Sequence, residues 1–550
     1  MSSSTGSHSI AITTARTPRR TAGARPFDAS AGPAALVLFS ALCVALRCFI
    51  VVQRWSGYGI GKYFFADDSF YYFKIAQNVA LGRGSTFDGV VATNGYHPLW
   101  ELCCVALHAL WHGTGAGMVA LIYIIQTGLL LAAAWLLYLG LRDRHPWAAA
   151  LSALLLMLNT VTSLVLVNGM ESGLTFTLLC AFTYLAAARG PDFFDLRDTR
   201  YTVMIAALLS SLALARLEAA LFSGTFLCVA LVRGLRVRGA QLRHSLTLAA
   251  ALGGVAALYV GINLAIVGLP VPVSGLVKAL WTETPSDVWH LLEAQFGWFV
   301  SPLRLQQAFE NRLISGLLFA GLLWGLVAFV RDAWQRRQHG LVLLVADCAI
   351  LIAYNLISTR QSFHWYGWPA LMLGTLGTYG LLTRLVGGLA GWRARVAVAG
   401  ITAVALAYGA GTTFRTATRN FDQLYDWSSS PVLMDEALGF IQNEIPADAR
   451  LAGDSVGLLA YLSGREISNV EGLVADRAYY DALKRGQSQA LLGERGVTWL
   501  VATRLDAYAP PCAQVHRWDL AERARNRGFE PVIGGVRIYQ LDYAACDRQR

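Results

Sequence analysis

A chain of 550 residues with 55% hydrophobic side chains, only 15% charged ones and a mean hydropathy of +0.45 has more apolar surface than one water-soluble core can bury. This excludes a single soluble globule and points to a polytopic α-helical membrane protein. The formal charge of +10 would suit nucleic acid, but the arginines stand in short segments between apolar runs, where they set topology, so no nucleic-acid partner is expected.

Residues 1–33 carry Arg16, Arg19, Arg20 and Arg25 among Ser, Thr, Gly and Pro, and read as a disordered basic cytoplasmic tail. The apolar run 34–52 is long for a signal peptide and has no clear small-residue cleavage site, so it reads as an uncleaved first span. A long loop, 53–117, follows. It holds "DDSFYYFKIAQNVALGRGSTFDGVVATNGYHPLW" from Asp67 to Trp100. The adjacent carboxylates Asp67 and Asp68 fit two uses: capping the helix that "SFYYFKIAQNVA" predicts, or chemistry at the edge of the bilayer. "LWELCCVALHALW", 99–111, is too short to span and contains Glu101 and His108, so it reads as an interfacial helix.

Ten further apolar runs lie near 118–140, 147–166, 172–188, 201–215, 218–232, 246–267, 313–330, 341–357, 366–383 and 396–412, giving eleven candidate spans. If the basic segments at 142, 197, 233, 331 and 384 share the cytoplasmic side with the tail, all eleven alternate without conflict. Asp67, Asp68, His97, Glu171, Arg216, Glu218, Lys278, Arg360 and His364 then gather on the other side. A transporter would instead bear polar groups at mid-bilayer depth, where only Asp347, Asn159 and Asn263 stand, and no internal repeat is visible.

After residue 412 the composition becomes that of a soluble domain. "VLMDEALGFIQNEI" has helical spacing, whereas "RLAGDSVGLLAYLSG", "VTWLVAT" and "PVIGGVRIYQLDY" read as short strands and turns. Residues 413–550 are therefore expected to form a small α/β domain outside the membrane, following a transmembrane domain over 34–412. Seven cysteines lie in apolar runs and act as small hydrophobes. Cys512 and Cys546 lie outside them, as free thiols or as a disulfide in an oxidising compartment.

The stretch 67–100 resembles the first extracytoplasmic loop of GT-C fold glycosyltransferases that use polyprenyl-phosphate sugars. It is most similar to the bacterial branch containing the terminal arabinofuranosyltransferases of mycobacterial cell walls. The shared pattern is the Asp pair, the aromatics, the GxG at Gly82 and Gly84, and the GY and PLW of "NGYHPLW"; Lys74 stands where that branch has arginine. The resemblance implies an inverting transfer of a sugar from a polyprenyl-phosphate donor to an envelope glycan, lipid or protein acceptor. Asp67 or Asp68 would be the general base, in a multi-pass protein of a bacterial inner membrane.

Arg216, Lys278 and Arg360 are the candidates to hold the donor phosphate, with Arg304 and Arg312 behind them. Arg216, inside the apolar "LALARLEAALF", needs a partner, which is either Glu218 alone or Glu218 plus a ligand. Lys278 fits a snorkelling anchor as well as a clamp. Tyr72, Asn94, His97, Glu171, Glu218, His364 and Trp365 are candidate substrate contacts. No cofactor is required by any motif. A divalent cation, Mg or Mn, would fall between Asp67 or Asp68 and Glu171, though no ligand spacing demands one. The rival readings are a transporter or flippase of lipid-linked sugar and a non-catalytic sugar-binding membrane protein.

Overall fold

The computed structural model describes residues 31–111, 113, 115–280, 312–358, 363–387, 389, 391–418, 431–503, 506–522 and 535–549. The tail 1–30, the segment 281–311 with Arg304, and Arg360 lie outside the described residues.

The first helix, α1, runs from Ala31 to Phe64. Its 34 residues would measure about 50 Å, well beyond a hydrocarbon core of about 30 Å. Its apolar part is Ala31–Trp55, and the remaining turns carry Lys62, which ion-pairs with Asp435. The loop that follows contains α2 (Asp67–Ala80) and α3 (Pro98–Leu110), which pack on each other. Next come α4 (Gly115–Leu141), α5 (Pro146–Leu158), α6 (Thr160–Leu166), α7 (Ser172–Arg189), α8 (Thr199–Ala215), α9 (Ala220–Val237), α10 (Gly239–Ile266) and the short α11 (Val273–Lys278). Four more apolar helices, Arg312–Gln335, His339–Ser358, Trp368–Gly387 and Trp392–Thr418, complete the bundle.

Among the described residues, eight helices are long and apolar enough to cross a membrane. Three of the eleven expected spans depart from that, each for a visible reason. The run 147–166 breaks at Asn159, whose extended backbone (φ −68°, ψ 119°) separates α5 from α6. The run 201–215 forms α8, at 17 residues. The run 366–383 opens at the end of the turn His364–Tyr366 and continues as the largely buried Trp368–Gly387, whose glycines, threonines and Arg384 dilute its apolarity. A Cβ on Gly380 would sit 2.0 Å from the Gly325 carbonyl, so this helix meets Arg312–Gln335 backbone to backbone, the close approach that small residues permit between membrane helices.

The C-terminal part folds as helix Pro431–Asn443 followed by a five-stranded sheet. Its strands are β1 (Leu451–Gly453), β2 (Ile467–Asn469), β3 (Trp499–Ala502), β4 (Gln514–Asp519) and β5 (Arg537–Leu541). The strand order is β2-β1-β3-β5-β4, with β1 parallel to β2 and β3, and β5 antiparallel to β3 and β4. The apolar strands β1 and β3 are buried along their whole length, whereas β4 forms an exposed edge rich in polar side chains, as an unpaired edge requires. Cys512 and Cys546 are disulfide-bonded beside the sheet. The helix after β1, Gly457–Ser463, packs on α2, and this contact joins the sheet to the membrane bundle.

Candidate active site

The site is organised by α2. Its N-cap, Ala66, is extended and has no side-chain cap, and Asp67 and Asp68 form the first turn. Helical spacing sends the two aspartates different ways. Asp68, Tyr71 and Tyr72 share one face and line a cavity of about 660 Å³. Asp67 and Phe70 share another and meet the C-terminal domain, Phe70 packing on Tyr461 and Asp67 on Gly457. The Asp67 carboxylate accepts hydrogen bonds from the backbone N–H groups of Gly457 (3.0 Å) and Leu458 (2.9 Å).

Opposite α2 stands the turn before α7. Gly169 adopts φ +86°, and Gln126 of α4 holds the turn by accepting from the Gly169 N–H and donating to the Met170 carbonyl. Glu171 is thereby carried into the cavity wall, 1% exposed, where Oε2 accepts from the Tyr72 hydroxyl (2.9 Å). Arg216, the C-cap of α8 and also 1% exposed, bridges Glu171 (2.8 Å) and Glu218 (2.5 Å) and donates to the Trp365 carbonyl (3.0 Å). Two carboxylates thus compensate this buried guanidinium, which removal from water would otherwise make costly.

His97 completes this wall. Its Nδ1 accepts from the Leu217 N–H (3.4 Å), which leaves Nε2 protonated toward Glu171 (3.8 Å). Burial lowers the imidazole pKa against the pull of Glu171 and Glu218, so the ring is neutral at pH 7. Lys278, at the end of α11, donates to the Tyr366 hydroxyl (3.2 Å) and lies 5.3 Å from the Phe363 ring centre. Burial alone would lower its pKa, yet Tyr366 and Asp68 hold it above the ordinary value. The described residues give Lys278 no carboxylate ion pair, which distinguishes it from Arg216. Leu221, Leu276, Ile350 and Leu351 supply an apolar part of the wall.

The cavity therefore unites Asp68, Tyr72, His97, Glu171, Arg216, Glu218, Lys278 and Trp365. Three expected contacts do not line it. Asp67 is turned to the C-terminal domain. Asn94 instead fastens the segment leading into α11, accepting from the Val273 N–H (3.0 Å) and donating to the Val271 carbonyl (3.1 Å). His364 stands behind Trp365, its pKa pushed down to about 3 by burial. Four tyrosines that the sequence leaves unassigned also belong to the wall, Tyr71, Tyr96, Tyr354 and Tyr366. For Tyr71 and Tyr366 the aromatic runs "FYYF" and "HWY" are the available signal, but rings at a membrane boundary are common enough to hide it.

The donor set does not suit a divalent cation at Asp67, Asp68 and Glu171. Asp67 and Glu171 are committed to different partners, and among the described residues no group of three His, Cys, Asp or Glu side chains converges.

A bundle of long apolar helices, a charged cavity beneath the first loop and a small sheet domain after the last span define a multi-pass membrane protein of the GT-C fold. Solved structures share that fold. ArnT from Cupriavidus metallidurans in the apo state matches with a TM-score of 0.57 at 14% identity, over 93% of this chain and 98% of that one. The same protein bound to undecaprenyl phosphate matches at 0.56 and 14%, over 92% and 98%. The Archaeoglobus fulgidus oligosaccharyltransferase in the apo form matches at 0.53 and 10%, over 86% and 69%. No family model and no curated protein sequence matches the chain.

Proposed function

We propose that the chain is an integral-membrane glycosyltransferase that moves a sugar from a polyprenyl-phosphate donor to a hydroxyl of an envelope glycan, lipid or protein, on the extracytoplasmic face and with inversion. The observation that carries this reading is the shared cavity of Asp68 and Lys278, a carboxylate and a cation beside an apolar wall. A prenyl-phosphate sugar has those three needs: a base for the acceptor, positive charge for the phosphate and an apolar surface for the tail. That ArnT is seen with undecaprenyl phosphate on the same fold agrees with such a donor.

In the step, the acceptor oxygen attacks the anomeric carbon while the bond from that carbon to the phosphate oxygen breaks. Asp68 takes the acceptor proton, and the prenyl phosphate leaves with the bond's electron pair. Lys278 offsets the charge that grows on the phosphate, which a preorganised cation in a partly dry site does most effectively. Arg216, balanced by Glu171 and Glu218, supports Tyr72 and His97 rather than acting as the main clamp.

The test is an assay of purified protein in nanodiscs against prenyl-phosphate pentoses and hexoses, with and without chelator, using envelope extract as acceptor. Transfer from at least one donor, with the product anomer opposite to the donor's, supports the reading. Translocation of labelled lipid-linked sugar by the same protein in sealed proteoliposomes, without transfer, would replace it with a transporter.

A further inference from the structure

We propose that Asp67 is a positioning residue that buckles the C-terminal domain to the first loop and so completes the cavity around Asp68. The two adjacent carboxylates then divide their labour. This rests on the reading of Asp68 as the base.

Four contacts carry the inference. The Asp67 carboxylate receives the Gly457 and Leu458 N–H groups, 390 and 391 residues away in sequence. A Cβ on Gly457 would sit 2.3 Å from the Asp67 carbonyl, so the two backbones touch there. One turn further along α2, the Tyr71 hydroxyl donates to Glu471 (3.2 Å) and accepts from Asn469 (3.0 Å). At the far end of the loop, a Cβ on Gly95 would lie 2.0 Å from the Leu473 carbonyl. Tyr71, Gly95 and Leu473 all line the cavity. The C-terminal domain thus supplies part of the wall, and the residue before Asp68 ties it down.

The titratable groups around Asp67 are Asp68 and Tyr71 on its own helix and Glu471 from the docked domain. None is a cation, so no ion pair competes with the two N–H groups for this carboxylate among these neighbours.

The test uses the full chain in nanodiscs and two readouts: amide hydrogen exchange over 457–463, and kcat and donor KM with synthetic prenyl-phosphate sugars. Asp67→Ala should speed exchange there by about tenfold or more and lower kcat by about tenfold, with donor KM little changed. Asp67→Asn, whose single acceptor oxygen can serve only one of the two N–H groups, should restore part of both. Asp68→Asn should abolish transfer while leaving exchange as in the wild type. Loss of transfer in Asp67→Asn with normal exchange would make Asp67 the base and overturn the proposal, as would unchanged exchange in Asp67→Ala. If the wild type transfers no sugar, the functional reading fails, and exchange alone still decides whether Asp67 docks the domain.

Discussion

Adding one methyl group at Gly457 tests the docking contact without touching either aspartate. The new Cβ would lie 2.3 Å from the Asp67 carbonyl and 3.2 Å from its Oδ2, against an ordinary contact of 3.4 Å or more. Relief requires a shift of about 1 Å, which stretches hydrogen bonds now 2.9 and 3.0 Å long beyond useful range. Above about pH 7, where Asp67 is ionised, each bond to the charged group is worth about 1.5–3 kcal/mol, so Gly457→Ala should weaken docking by about 3 kcal/mol or more. At about 1.4 kcal/mol per tenfold, the Leu458 amide should then exchange about 100-fold faster. Gly439→Ala is the control, because nothing lies within 4 Å of its Cβ and alanine favours the helix by about 0.5–1 kcal/mol. Equal exchange at Leu458 in the wild type and Gly457→Ala would refute the reasoning.

Three other outcomes follow from the same geometry. Lys278→Met should lower kcat about 100-fold, with Lys278→Arg retaining more activity; a Lys278→Met protein as fast as the wild type would remove this cation from phosphate binding. Arg216→Met leaves Glu171 and Glu218 buried without their cation and should cost about 3–5 kcal/mol, seen as a lower thermal transition of detergent-solubilised protein. Docking should also depend on pH. Burial, with Asp68 and Glu471 adding to it against the two N–H groups, raises the Asp67 pKa from 3.8 to about 7. The docked state therefore binds a proton that the undocked state lacks between those values, so protection of 457–463 should fall as pH rises toward about 7 and level off above it. Asp67→Asn, compared at each pH to cancel the intrinsic exchange rate, should lose that dependence.

Hydropathy makes the membrane layout legible, because a span needs only length and apolarity. It does not reveal the break at Asn159, since 147–166 is apolar on both sides of one short polar stretch. Trp368–Gly387 reads as an ordinary span, although its glycines serve backbone contact with a neighbouring helix. In the sheet domain, β1, β3 and β5 fall within stretches that read as strands, whereas β2 and β4, with Ser468, His516 and Arg517, do not, and the "GLLAYLS" expected as strand or turn is the helix Gly457–Ser463. One-sided charge brings most cavity residues into view. The separate fates of Asp67 and Asp68 are not visible, because they depend on Gly457 and Leu458, which approach only when the chain has folded. Asn94 misleads for a similar reason: a polar residue in a loop signals ligand or fastening equally until its partners are known.

The most direct test of the central claim is sugar transfer by Asp68→Asn from whichever prenyl-phosphate donor the wild type accepts, in nanodiscs and with folding checked by exchange. The account predicts a loss of about 1,000-fold or more in kcat with docking intact. Transfer at the wild-type rate would contradict it.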